Sequence, residues 1–269
     1  MYIDAHNHLH DSRLNDVRAD VIRDCEHIGI SLAVVNGTSP QDWSSVRALA
    51  AEHAWILPSY GVHPWFLDNL TPSWRSELEG YLDHEPSAIG EIGIDYWKDG
   101  IDREFQRSVF VEQLSIARER NLPTTIHGLK AWEDLLAILK KQGTPEVGFL
   151  LHSYSGPVEL IESFAKLGAY FSCAPAFFAP SRAKKLEIFK RVPLERLLPE
   201  SDAPDQAAPQ SLRRFSCDSD EQINHPGNIS IVYDGLASVT GLSVEKLSTT
   251  FIDNAQRLFG RVMRAPLRA

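Results

Sequence analysis

Short apolar runs alternate with longer amphipathic stretches along the whole chain. The short runs are rich in Ile, Val, Leu and Phe and read as strands. They are YIDAH (2–6), SLAVVNG (31–37), ILPSYGV (56–62), SAIGEIGI (87–94), LPTTIH (122–127), GFLLH (148–152), AYFSCA (169–174) and RLLPESD (196–202). The clearest helical stretch is residues 103–120, where Phe105, Val109, Phe110, Leu114, Ile116 and Ala117 recur at helical spacing. The stretches DVRADVIRDCEHIG, AWEDLLAILKKQG and GPVELIESFAKLG each finish in glycine, a common helix stop. Strand followed by helix, repeated eight times, predicts an α/β fold with one parallel sheet. The 269 residues match a single closed TIM-like (β/α)8 barrel domain over 1–269, with an open doubly wound sheet as the alternative. One segment breaks the rhythm. Residues 203–228 are long, polar and proline-bearing, follow the eighth strand and are placed to cover a site; helices are expected near 229–240 and 243–262.

The strand ends carry the chemistry. In a closed parallel barrel they share one rim, where catalytic groups gather. The first strand reaches Asp4, His6 and His8. Residues two apart in an extended segment project to the same side, so His6 and His8 form a plausible chelating pair. Glu91, His127, His152 and Asp202 each end a separate apolar run. A buried glutamate among histidines asks for a cation. Six N and O ligands suit zinc, manganese or a similar divalent ion, and they are enough for two ions bridged by a carboxylate. Asp4 is placed to support a ligand histidine through its second ring nitrogen. Asp95 reads equally as such a support or as a helix cap. His10 reads as exposed. Trp65, Tyr96, Trp97, Phe177 and Phe178 follow strand ends and read as core or loop anchors, with base stacking as the alternative.

Composition narrows the classes. The formal charge of −9 excludes general attraction to nucleic acid, so any phosphate must be held locally. The basic cluster of Arg182, Lys184, Lys185, Lys190 and Arg191 reads as a solvated helix face. No apolar run is long enough to span a membrane. Cys25, Cys173 and Cys217 are odd in number and unpaired in spacing, which points to a reducing, cytoplasmic compartment. A monomer is expected.

The segments DAHNH, GVHPW, GEIGIDYW, IHG, HSYSG and ESDAP occur here in the order seen in the TatD family of metal-dependent hydrolases. NHPGNI (224–229) and DNAQRLFG (253–260) also resemble segments of that family, so the likeness runs from residue 2 to 260. The resemblance implies a TIM-like barrel, divalent ions (Mg, Mn or Zn) and phosphodiester hydrolysis, as a deoxyribonuclease or 3′–5′ exonuclease on single-stranded DNA. By position, His6, His8, Glu91 and Asp202 resemble ligands of a first ion. Glu91, His127 and His152 resemble ligands of a second, and His63 resembles a contact to the substrate phosphate. Asp202 is expected to act as general base, with Glu91 also essential. The family often has arginine two residues after the fifth-strand histidine. Here Leu129 stands at that place with Lys130 next, which leaves Lys130 as the candidate phosphate contact. That departure keeps a second reading open, a metal-dependent esterase or deacylase acting on, for instance, a D-aminoacyl-tRNA ester. A non-enzymatic binding protein braced by metal is a third.

Overall fold

A computed structural model describes residues 1–68, 70–217 and 222–267. Its strands are β1 (Tyr2–Asn7), β2 (Ile30–Asn36), β3 (Ile56–Tyr60), β4 (Ala88–Asp95), β5 (Thr124–Leu129), β6 (Phe149–Leu151), β7 (Ala169–Cys173) and β8 (Leu197–Pro199). They are laid side by side in chain order, each parallel to the next. The molecule is a TIM barrel, as the alternation predicts. The strand residues are almost all buried, because both faces of a parallel barrel are covered. Side chains such as Val34, Ile92 and Phe171 fill this core.

The helices are α1 (Arg18–His27), α2 (Trp43–Glu52), α3 (Trp74–His84), α4 (Arg103–Arg120), α5 (Trp132–Gln142), α6 (Ile161–Lys166), α7 (Ala183–Leu186), α8 (Ile229–Thr240) and α9 (Val244–Phe259). Helix α4 follows its apolar spacing end to end. The Asp102 side chain accepts from the backbone N–H groups of Glu104 and Phe105 and fixes its start, and Asn121 in a left-handed conformation ends it. None of the described helices is long and apolar enough to cross a membrane. The alternation fails at one connection. Between β7 and β8 the chain makes only the one-turn α7 with flanking 3-10 turns, so the basic cluster there is not one face of a long helix.

The barrel closes between β1 and the residues just after β8. The Asp202 N–H donates to the carbonyl of His6 (3.0 Å), and the His8 N–H to that of Ala203 (2.7 Å). Asp4 completes the seam. Its carboxylate accepts from the Ser201 N–H (2.8 Å), the Ser201 hydroxyl (2.5 Å) and the Asn7 amide (3.0 Å). The expected support of a ligand histidine by Asp4 is therefore corrected. Asp4 sits one pleat deeper than His6, level with Ser201 across the seam, and meets His6 only through the backbone N–H (3.4 Å). Behind the seam, Tyr233 of α8 accepts from the Ile3 N–H (2.9 Å), and Asn254 of α9 donates to the carbonyl of Leu197 (2.7 Å).

The 203–228 segment packs against this seam, with residues 218–221 outside the described set. Asn224 donates to the Ser201 carbonyl (2.8 Å), and Asn228 accepts from the N–H groups of Arg214 and Phe215 (2.9 and 3.0 Å). The NHPGNI motif thus holds loop backbone through its two asparagines. Replacing Asp4 by alanine removes the acceptor of four buried donors, the His6 N–H being the most distant. The expected loss is about 2–4 kcal/mol, a fall in Tm of roughly 5–15 °C by calorimetry.

Candidate metal centre

Glu91 lies in β4 where the strand must pass very close to β5. Gly93 makes that possible: a Cβ there would stand 2.1 Å from the His127 carbonyl oxygen. The close pass brings Glu91 and His127 together at the barrel mouth. The Glu91 carboxylate is 2% exposed. Its Oε2 faces the first strand, 3.3 Å from His8 Nε2 and 3.6 Å from His6 Nε2. Its Oε1 faces the other side, 2.7 Å from His152 Nε2, 3.0 Å from His127 Nδ1 and 3.5 Å from His63 Nε2. Asp202, just past β8, places Oδ1 3.2 Å from His6 Nε2 and 3.7 Å from His8 Nε2. Residue 202 takes a left-handed backbone (φ 50°), an uncommon conformation for a non-glycine residue and a frequent one at functional sites.

The ring nitrogens away from the centre set the tautomers. His8 Nδ1 lies 2.8 Å from the Asn36 carbonyl, which requires a proton on Nδ1, so that the neutral ring turns its Nε2 lone pair toward Glu91 and Asp202. His127 Nε2 lies 3.0 Å from Asp95 Oδ2, so its Nδ1 lone pair faces Glu91. His63 is the reverse. Its Nδ1 accepts from the Trp65 N–H (3.1 Å), so the neutral ring carries its proton on Nε2, toward Glu91. Distance alone groups His63 with Glu91 and His127, but its tautomer makes it a hydrogen-bond donor to whatever sits there. His152 stacks on His6 with ring centroids 4.1 Å apart. His152 Nδ1 lies 3.8 Å from Glu200 Oε1, and both it and His6 Nδ1 are buried without a hydrogen-bond partner.

The charges respond to this crowding. Burial would raise the Glu91 carboxyl, but His152, His63, His6 and the His127 hydrogen bond hold it well below the usual carboxylate range. Burial pushes Asp202 up to about 6 against the pull of His152 and His8. Burial opposes a proton on His8, yet Glu91 and Asp202 lift it to about 9. Burial and His152 push His6 well below its ordinary value. His6 Nε2 and His8 Nε2 are 3.2 Å apart, and two ring N–H groups cannot point at each other there. Among the described residues, three sets of ligand atoms lie close enough for one ion: His6, His8 and Glu91; His6, His152 and Asp202; and His63, Glu91 and His127. Imidazole nitrogen with carboxylate oxygen, buried, with lone pairs converging, fits divalent cations.

The structure therefore brings His6, His8, His63, Glu91, His127, His152 and Asp202 to one mouth. Lys130 is not part of it. The chain turns there with a left-handed backbone (φ 54°) before α5, and the side chain is left exposed. The cation lining this cavity is Arg182, held toward it by a hydrogen bond to Gln206 (2.9 Å). Arg182 ends a 3-10 turn (Pro180–Arg182) ahead of α7, so the spacing of the basic cluster does not show that it faces the cavity. Glu200 was also missed. It is fully buried, accepts from the N–H and hydroxyl of Ser153 (2.7 and 2.6 Å) and braces the loop bearing His152. Its position two residues before Asp202 was the available sign. His10 is buried rather than exposed, with Nε2 3.4 Å from Asp42. Asp95 is a support for a histidine, and it also accepts from the Trp65 indole (2.8 Å).

Comparison with known proteins agrees with this geometry. The family model described as TatD-related DNase matches residues 3–260. The uncharacterized metal-dependent hydrolase YabD of Bacillus subtilis is 29% identical, over 96% of this chain and 99% of its own length. Human deoxyribonuclease TATDN3 is 27% identical, over 97% of this chain and 95% of its own. The crystal structure of YjjV, a TatD homologue from Escherichia coli, superposes with a TM-score of 0.87 at 25% identity, covering 96% of this chain and 98% of that one. With the matched residues spanning the whole barrel and every strand end that bears a converging ligand, the chain belongs to the TatD-related DNase family of metal-dependent hydrolases.

Proposed function

We propose that this chain hydrolyses phosphodiester bonds at the ends of single-stranded DNA, with one or two divalent ions held by His6, His8, Glu91, His127, His152 and Asp202. The observation that carries this reading is the division of the Glu91 carboxylate, one oxygen toward His6 and His8 and the other toward His127 and His152. Relatives that share the full length include a named deoxyribonuclease. Bound divalent ions supply Lewis-acid polarisation of a phosphoryl oxygen and acidify water.

The protein's own groups do the rest. Asp202, raised to about 6 by burial, is ionised at neutral pH yet basic enough to accept a proton from the attacking water. His63 presents Nε2–H to the phosphoryl oxygens as negative charge grows. Arg182 reaches the same cavity, about 540 Å³ in volume, and holds a phosphate there.

A second cavity of about 530 Å³ shares His8, His63, Trp65, Glu91 and Asp205 with the first. Its outer wall bears Asp11 and Asp42, and its Arg13 is already paired with Asp11 (2.8 Å) and Asp205 (2.7 Å). A lobe walled by carboxylates disfavours further phosphates, so the strand enters past Arg182 and a terminal unit occupies the acidic lobe. That asymmetry supports attack at an end.

Glu91→Gln is expected to lower kcat on a 5′-labelled single strand with Mn²⁺ by at least about 10³-fold, while circular dichroism stays that of the folded barrel. Arg182→Ala is expected to raise KM for that strand about 10-fold and to leave hydrolysis of a neutral carboxylic ester unchanged. If the wild type cleaves the ester and a D-aminoacyl-tRNA but no DNA, the phosphodiester reading fails. The proton on His8, held up to about 9, must leave for a cation to bind. Affinity for Mn²⁺ therefore rises with pH between 6 and 9, by up to about tenfold per unit. Calorimetry in buffers of different ionisation enthalpy checks this through the protons released.

A further inference from the structure

A large apolar side chain left in water beside a polar cavity invites an explanation, and Trp97 is 54% exposed at the rim of the metal cavity. Its neighbours are occupied. Tyr96 lies under the Arg103 guanidinium (4.4 Å) and hydrogen-bonds Asp134, while Phe177 and Phe178 pack inward or against α8. Among the aromatic rings of the described residues, Trp97 meets Trp65, ring centroids 6.0 Å apart and planes tilted by 33°. Rings at that separation are in direct contact, so nothing slides between them, and the outer face of Trp97 is the free one.

The pair is rigidly tied to the catalytic groups. Asp95 Oδ1 accepts from the Trp97 N–H (2.6 Å), and Asp95 Oδ2 accepts from the Trp65 indole (2.8 Å) while facing His127 Nε2 (3.0 Å). One carboxylate thus holds the Trp97 backbone, the Trp65 ring and a candidate ligand together. A flat π surface at a fixed offset from the reacting phosphate, with Arg182 on the same cavity, matches an unpaired base on a strand whose backbone enters there. Bases stacked inside a duplex could not reach it.

We propose that Trp97, backed by Trp65, is a nucleobase platform that selects single-stranded ends by stacking one base near the scissile phosphate. This rests on the phosphodiester reading above. Stacking also supplies binding that the surface, with its net negative charge, does not.

The test walks a single abasic residue through the three terminal positions of a labelled oligonucleotide, assayed with Mn²⁺ on wild type, Trp97→Ala and Trp97→Phe. In the wild type, one position should lower kcat/KM by about 10- to 100-fold when its base is missing, chiefly through KM. Trp97→Ala should bring that ratio close to one, and Trp97→Phe should keep most of it. Indole emission should be quenched by the base-bearing strand in wild type and much less in Trp97→Ala. A Trp97→Ala enzyme that keeps the full discrimination, or a wild type that cleaves every abasic strand equally well, overturns the platform and leaves the nuclease intact. A wild type that cleaves none of these strands removes the nuclease reading, and the platform with it.

Discussion

A carboxylate buried at the centre of a barrel, with imidazoles on both its oxygens, is the constraint from which the rest of this molecule follows. Glu91 is almost wholly buried, and its carboxylate oxygens face histidines. Burying such a charge is expensive unless cations answer it. The close pass at Gly93 and the tautomers set by Asn36 and Asp95 all serve to aim lone pairs at one volume. His63 differs from its neighbours by a single hydrogen bond, and that bond turns a ring at ligand distance into a donor.

Electrostatics divide the mouth into two unlike halves. One half carries Arg182 and the exposed Trp97, and the other carries carboxylates and Arg13, which is already paired with Asp11 and Asp205. A molecule of net charge −9 thereby offers a polyanion one local approach rather than a general attraction.

Much of this was legible in the chain. The alternation of apolar runs and amphipathic stretches reads directly as a barrel, because a parallel strand is buried on both faces and a surface helix on one. The ligand residues stand out because each ends a separate apolar run, and barrel topology turns such ends into neighbours. What escaped depends on distances that periodicity does not carry. Asp4 shares the parity of His6 and His8, but which element lies opposite it is a matter of seam register. Lys130 stood beside the expected arginine position, yet one left-handed residue turns it outward. Arg182 belongs to a charge cluster that looks like a solvated face until the helix proves to be one turn long. Glu200 and Asp202 are two residues apart in the same motif, and only the fold shows that one braces Ser153 while the other faces His6.

The seam that joins the first strand to the last has a consequence for biogenesis. Ser201 meets Asp4 across 197 positions of chain, and the same junction sets His6 and His8 against Asp202. A growing polypeptide therefore carries five of its six candidate ligands by residue 152 but lacks Asp202, and the seam that positions it, until about three quarters of the chain is made. The last ligand and the partner of the first strand are thus delivered by one late segment, a coupling that comes with the topology itself.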